Sequence, residues 1–171
     1  MCRLLAFSSL ERKSFYDVVG NEFDKFVAMS SEHKDGWGYA HDGQILKDVN
    51  PAHESDSLER AKSEVLTDGA LLHLRLASKG INVNIDNNHP FTYGTTTFMH
   101  NGTIRPGNTA EQFIADKYKG FLQGTTDSER FFYALLSQVD EHGLVEGVRS
   151  IVNLIRSNAD YTALNIMVQT P

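Results

Sequence analysis

The run Cys2-Arg3-Leu4-Leu5-Ala6-Phe7 is short, largely apolar and closed by Ser8-Ser9, and it predicts a buried first strand. Its apolar part is too short for a secretory segment, and the following Glu11-Arg12-Lys13 is too polar. Phe15, Val18, Val19, Phe23, Phe26 and Val27 then recur at helical spacing, with Gly20 weakening the pattern. Residues 37–40 and 44–46 flank Asp42-Gly43, the signal of a β-hairpin. The pattern further predicts a helix over 57–66, a strand over 70–76 that stops before Ser78-Lys79-Gly80, and a Thr-rich, then aromatic strand over 95–99. Residues 109–118 suit a short helix.

Thr126-Asp127-Ser128-Glu129 is the clearest helix start in the chain. Thr126 is placed to cap, and Glu129 stands three residues on, as a capping box requires. Phe131, Phe132, Leu135, Leu136 and Val139 line one face behind it. A second helix follows Gly143 with Leu144, Val145, Val148, Ile151, Val152 and Ile155 apolar, and 163–168 reads as a last strand. There is no internal repeat, low-complexity tract or linker. The order of elements is strand, helix, several strands, two helices, strand. This implies an α+β protein, a sheet covered by helices in mixed order, formed as a single domain over residues 1–171.

Composition narrows the function. The 171 residues hold 16 Lys and Arg against 22 Asp and Glu, a formal charge of −6, with no basic cluster. Such a chain is a poor nucleic-acid ligand, because phosphate neutralisation dominates that affinity. No apolar run approaches the roughly 20 residues of a membrane span. One cysteine excludes an internal disulfide and suits a reducing compartment, so the expected setting is cytoplasmic, with small-molecule partners. The seven histidines form no ligand-spaced cluster and no Gly-rich phosphate loop occurs, so neither metal nor cofactor is expected.

Four places carry chemistry. A free thiol, with a pKa of about 8.5, is only slightly ionised at neutral pH and needs a base. With Met1 removed, Cys2 would carry its own α-amine, with a reference pKa of roughly 7.7–8.0, able to accept the thiol proton directly or through one water. The alternative is an incidental cysteine. His100-Asn101-Gly102-Thr103 follows a strand. It is either a simple turn or an oxyanion hole, in which the Asn101 amide and the Gly102 N–H address one developing negative oxygen. Alternation places His73 and Arg75 on one strand face, where Arg75 is either a surface ion-pair partner or a bidentate carboxylate clamp. Asp127 gains from the helix dipole in the first turn and equally suits a substrate ammonium.

Taken in order, these pieces resemble the class II, N-terminal-nucleophile glutamine amidotransferase domain. The resemblance rests on Met1-Cys2-Arg3-Leu4-Leu5, Asp35-Gly36-Trp37-Gly38, His73-Leu74-Arg75 with Ser78 and Gly80, Asn88-His89-Pro90-Phe91, Phe98-Met99-His100-Asn101-Gly102 and Thr126-Asp127-Ser128-Glu129. The Met-Cys-Arg-Leu-Leu start and the Asn-x-His-Pro-Phe form are most similar to the short, stand-alone branch of γ-glutamyl amidohydrolases. The resemblance implies an αββα sandwich of two stacked, mainly antiparallel sheets flanked by helices. It makes Cys2 the nucleophile with its α-amine as base, and Asn101 and Gly102 the oxyanion hole. Arg75 would hold the α-carboxylate of a γ-glutamyl group and Asp127 its α-amine. Ser78 stands where the family usually has Thr. The implied reaction is hydrolysis of glutamine or another γ-glutamyl amide through a Cys2 thioester.

Two departures shape the expectation. The chain carries no synthase or acceptor domain, so either the leaving amine is itself the product or a partner subunit consumes the ammonia. It also stops directly after the 163–168 strand, short of the family's usual length, which predicts missing C-terminal strands. Two rival readings stand beside the hydrolase: a non-catalytic γ-glutamyl-binding or assembly subunit, and a Cys–His hydrolase using His73, His89 or His100.

Overall fold

The computed structural model describes residues 2–78 and 80–170. Met1, on whose removal the reading of the Cys2 α-amine depends, lies outside the described residues. The chain divides into two compact units, Met1–Met99 with Ile166–Pro171, and His100–Asn165.

In the first unit, β1 (Arg3–Lys13), β2 (Trp37–His41), β3 (Gln44–Asp48) and β4 (Thr67–Leu74) form a four-stranded sheet in the order β1-β4-β2-β3. All its pairings are antiparallel, and β1 meets β4 with Arg3 opposite Leu74 and Ser8 opposite Gly69. The β2–β3 hairpin turns at Asp42 (φ 47°) and Gly43 (φ 73°). Positive φ at both central residues is the two-residue turn whose twist matches the flanking strands. Strand β1 runs six residues beyond the predicted end at Phe7. The helical pattern over 15–27 resolves into α1 (Phe15–Val19) and α2 (Glu22–Ala28), broken at Gly20. Helix α3 (Asp56–Glu64) lies within two residues of its predicted bounds and is capped by the Ser55 hydroxyl.

One face of this sheet packs against those helices. Phe15, Phe23, Trp37, Tyr39, Leu58, Leu72 and Leu74 form its core, each at most 1% exposed. On the opposite face, Ala40 and Leu71, with Leu4, Ala6 and Ile45, meet Met99 of β6 (Thr96–Asn101). That strand lies between β5 (Phe91–Tyr93) and β9 (Asn165–Gln169) in a second, three-stranded sheet. Strand β4 is therefore covered on both faces, which explains its nearly unbroken apolar run Ala70–Leu74.

The second unit holds the paired short strands β7 (Ile104–Arg105) and β8 (Asp160–Tyr161), a 3₁₀ turn over Thr109–Phe113 and α4 (Asp116–Lys119). The helix expected over 109–118 is thus split in two. Helix α5 (Asp127–His142) starts as predicted, with the Thr126 hydroxyl accepting from Glu129 N. The Glu129 carboxylate accepts from the backbones of Gln123 and Gly124, both at 2.9 Å. Gly143, at φ 77°, joins α5 to α6 (Leu144–Asn158). Phe131, Phe132, Leu135, Ile151 and Ile155 are fully buried in these two helices.

Candidate active site

Strand β4 ends at Leu74, two residues earlier than predicted, yet the sheet pattern carries on by backbone bonds. Arg75 N donates to Gly36 O at 2.8 Å, and Asp35 N donates to Arg75 O at 3.1 Å. The segment Asp35-Gly36-Trp37-Gly38 thereby holds the end of β4. Gly36 and Gly38 are required by close approach. A Cβ on Gly36 would sit 2.6 Å from Asp48 O, and one on Gly38 would overlap the His89 carbonyl and meet Pro90 at 2.8 Å. The two motifs read separately in the sequence, Asp-Gly-Trp-Gly and Asn-His-Pro-Phe, are thus one packed structure. His73 and His89 stack beneath it with ring centroids 4.3 Å apart, and both are buried.

Arg75 is 4% exposed. Nη1 donates to Asp35 O at 3.4 Å and Nη2 to Asn82 O at 3.1 Å, both neutral carbonyls. No carboxylate of the described residues forms an ion pair with it. Burial pushes its pKa down, opposed by the Cys2 and Asp35 charges, though a guanidinium stays protonated at any physiological pH. A buried cation without a counter-charge is costly, and proteins ordinarily pair such groups. The Asp35 carboxylate accepts from Ala77 N at 2.8 Å and so fixes the backbone beyond Arg75.

The half-buried Cys2 lies on that same backbone. Leu76 N donates to Sγ at 3.4 Å, and the thiol faces Leu76 O at 3.6 Å. Burial pushes the thiol pKa up, and the Leu76 bond and the Arg75 charge pull against it. The structure therefore brings Cys2 and Arg75 together through the single residue Leu76. Ser78, two residues on, is exposed.

In the second unit, Asn101 ends β6 and is half-buried, as is Gly102. A Cβ on Gly102 would overlap the Ala163 carbonyl oxygen and approach His100 Nε2 to 2.6 Å. The same carbonyl accepts from His100 Nε2 at 3.2 Å, while Nδ1 lies 2.9 Å from Ser128 Oγ. A neutral ring with its proton on Nε2 satisfies both contacts, leaving Nδ1 to accept from the serine. Burial lowers the His100 pKa, which the Ala163 bond and the Asp127 charge oppose. With both ring nitrogens engaged, His100 is a poor candidate for the base of a Cys–His pair. Asp127 Oδ2 accepts from Ile104 N at 2.6 Å, which ties the first turn of α5 to β7.

A groove of about 940 Å³ in the first unit is lined by residues such as Phe7, Gly69, Leu71 and Met167. It contains no cysteine, histidine, arginine or lysine and lies toward the end of β1 far from Cys2. Among the described residues no group of His, Cys, Asp and Glu is arranged to hold a metal ion, and no helix is long and apolar enough to cross a membrane. Sequence reasoning gave no role to Asp35, Leu76 or Asn82. The last two act through backbone atoms, which leave no side-chain signal.

The thiol and the buried guanidinium thus stand on a mixed α+β frame of antiparallel sheets. The family profile for class II glutamine amidotransferases matches residues 1–169. The chain belongs to the class II glutamine amidotransferases. Among its relatives, the probable glutamine amidotransferase DUG3 of Saccharomyces cerevisiae is 30% identical over 168 residues, 84% of this chain and 47% of that protein. The uncharacterized protein MJ1515 of Methanocaldococcus jannaschii is 27% identical, covering 98% of this chain and 48% of that protein. The chain spans about half the length of these curated relatives. A glutamine aminotransferase class-II domain protein from Silicibacter pomeroyi superposes with a TM-score of 0.62 at 22% identity, over 99% of this chain and 72% of that one. Glutamine phosphoribosylpyrophosphate amidotransferase from Bacillus subtilis gives 0.61 at 17% identity, over 99% of this chain and 35% of that one. The fold expected from the sequence is borne out by these neighbours.

Proposed function

We propose that this chain is a single amidotransferase-type domain that hydrolyses the γ-amide of glutamine or of another γ-glutamyl compound in the cytoplasm. The observation that carries this reading is Arg75: a buried guanidinium held only by carbonyls, one residue from the backbone that binds the Cys2 thiol. The guanidinium has no carboxylate bonded to it among the described residues, and the α-carboxylate of a γ-glutamyl group supplies one. The planar guanidinium suits bidentate carboxylate binding.

In this reading the α-amine of Cys2, exposed by removal of Met1, takes the thiol proton. The thiolate then attacks the substrate Cδ. The carbonyl π bond opens to a tetrahedral oxyanion, which accepts from the Asn101 side-chain amide and the Gly102 N–H. The oxyanion collapses, the C–N bond breaks, and the ammonium of Cys2 returns the proton to the leaving amine. Water then cleaves the γ-glutamyl thioester, releasing glutamate and regenerating the thiol. Asp127 binds the substrate ammonium through its carboxylate, whose Oδ2 already accepts from Ile104 N and whose Oδ1 faces Ser128 Oγ at 3.5 Å, and Ser78 is a further substrate-binding residue. Clamping both charged ends over the thiol replaces a bimolecular encounter by a positioned one. Where the leaving group is ammonia, a partner subunit takes it up.

The test is a panel of γ-glutamyl amides, glutamine included, incubated with Met1-processed protein while free glutamate is measured. Glutamate release that stops when the α-carboxylate is capped as an amide supports the reading. No release from any member, with ligand binding retained, overturns it in favour of a γ-glutamyl-binding subunit.

A further inference from the structure

Arg75 takes one of its two bonds from an unlikely support. Asn82 is exposed, and its loop neighbours Val83 and Ile85 are 46% and 45% exposed. No strand fixes the Asn82 carbonyl. Beneath it, Asn87 is fully buried, and its Nδ2 donates to that same oxygen at 3.0 Å. The oxygen therefore receives Arg75 Nη2 at 3.1 Å on one side and the Asn87 amide on the other. Its two lone pairs are both used, so the direction from which Arg75 must approach is set.

Asn87 is itself anchored. Its N–H donates to Asn84 Oδ1 at 2.9 Å, closing a 3₁₀ turn over Ile85–Asn87. The adjacent Asn88, also buried, donates to Asp48 O at 2.7 Å, on strand β3. A chain of contacts thus runs from the sheet through Asn88 and Asn87 to the Asn82 carbonyl and the guanidinium. A guanidinium has five N–H donors. Two are committed to carbonyls, which leaves three, enough for a bidentate carboxylate.

We propose that Asn87 is a positioning residue, which acts through the Asn82 carbonyl to hold the Arg75 guanidinium in the plane that receives the substrate α-carboxylate. This rests on the reading of Arg75 as the carboxylate clamp. Asn87 does not touch substrate. It restricts rotation of a side chain that has no ion-pair partner to orient it.

The test uses Asn87→Leu, which keeps much of the shape and loses the donor without adding a charge, and Asn84→Ala, a milder variant outside the buried position. The first readout is ¹⁵N NMR of the arginine side chains. Slow Cζ–Nη rotation gives Arg75 resolved Nη signals in the parent protein, and these average in Asn87→Leu. The second is steady-state hydrolysis. With glutamine, Asn87→Leu raises KM roughly tenfold and leaves kcat within about threefold, as loss of ground-state binding does. With the α-carboxamide of glutamine, which cannot use the clamp, KM stays at the parent value. Asn84→Ala moves both readouts the same way by less. Unchanged Nη signals, or a KM rise equal for both substrates, overturn the proposal. Averaged Nη signals in a protein whose parent form cleaves no γ-glutamyl amide uphold the positioning role and reject the proposed hydrolysis.

Discussion

Replacing Arg75 by Met separates binding from stability. The side chain makes two hydrogen bonds to carbonyls, one of them long at 3.4 Å. Their joint net contribution is about 1–3 kcal/mol. Against this stands the desolvation of a cation 4% exposed and without an ion pair among the described residues, a cost of about several kcal/mol. Met fills much of the same volume without that cost, and the Asn82 carbonyl keeps its Asn87 donor. The balance predicts that Arg75→Met is as stable as the parent or more so. Since about 1 kcal/mol moves Tm by roughly 2–4 °C at this chain length, calorimetry should show no fall in Tm. Hydrolysis tells the opposite story. A carboxylate that loses its buried partner costs about 3–5 kcal/mol, so kcat/KM for glutamine should drop roughly 10²–10³-fold or more. A Tm lower by more than about 5 °C, with KM unchanged, would refute the reasoning, because Arg75 would then be a structural cation rather than an anion site.

Asn101→Ala should lower kcat by roughly 10²–10³-fold with KM nearly constant, as loss of one oxyanion donor does, and stopped-time glutamate assays across substrate concentrations check it. Gly102→Ala forces a methyl into the Ala163 carbonyl, so its urea midpoint should correspond to a loss of about 1–3 kcal/mol, and a wild-type midpoint would contradict the packing described. His100 makes the second unit acid-sensitive. Its folded pKa lies below 6.5, so below pH 6.5 the unfolded chain binds more protons than the folded one. Its contribution to stability is complete above pH 6.5 and is lost as pH falls toward the folded pKa. Urea midpoints between pH 7.5 and 5.5 should therefore decline less steeply in His100→Gln than in the parent.

The strong periodic signals in the sequence correspond to strong structure. The Asp42-Gly43 hairpin, the Thr126 cap and the apolar stripe of α5 lie where local chemistry puts them, because each is decided within a few residues. The failures are tertiary. The short β7 and β8 exist only because each pairs with the other. Cys2 and Arg75 were legible as residues. That they meet through Leu76, and that Arg75 forms no ion pair among the described residues, was not, since both facts depend on backbone atoms from segments about 40 to 74 positions apart. The role of Asn87 was hidden for the same reason: a buried amide bonded to a main-chain oxygen leaves no pattern beyond the motif in which it stands.

On the proposed reading, the only thiol of this chain is a nucleophile for the γ-carbonyl carbon of a γ-glutamyl group. Mass spectrometry of Met1-processed protein after exposure to 6-diazo-5-oxo-L-norleucine, a reactive glutamine analogue, tests it most directly. The account predicts a single adduct, located on Cys2, whose formation excess glutamate slows and Arg75→Met nearly abolishes. A folded, processed protein that stays unmodified, or is modified away from Cys2, contradicts it.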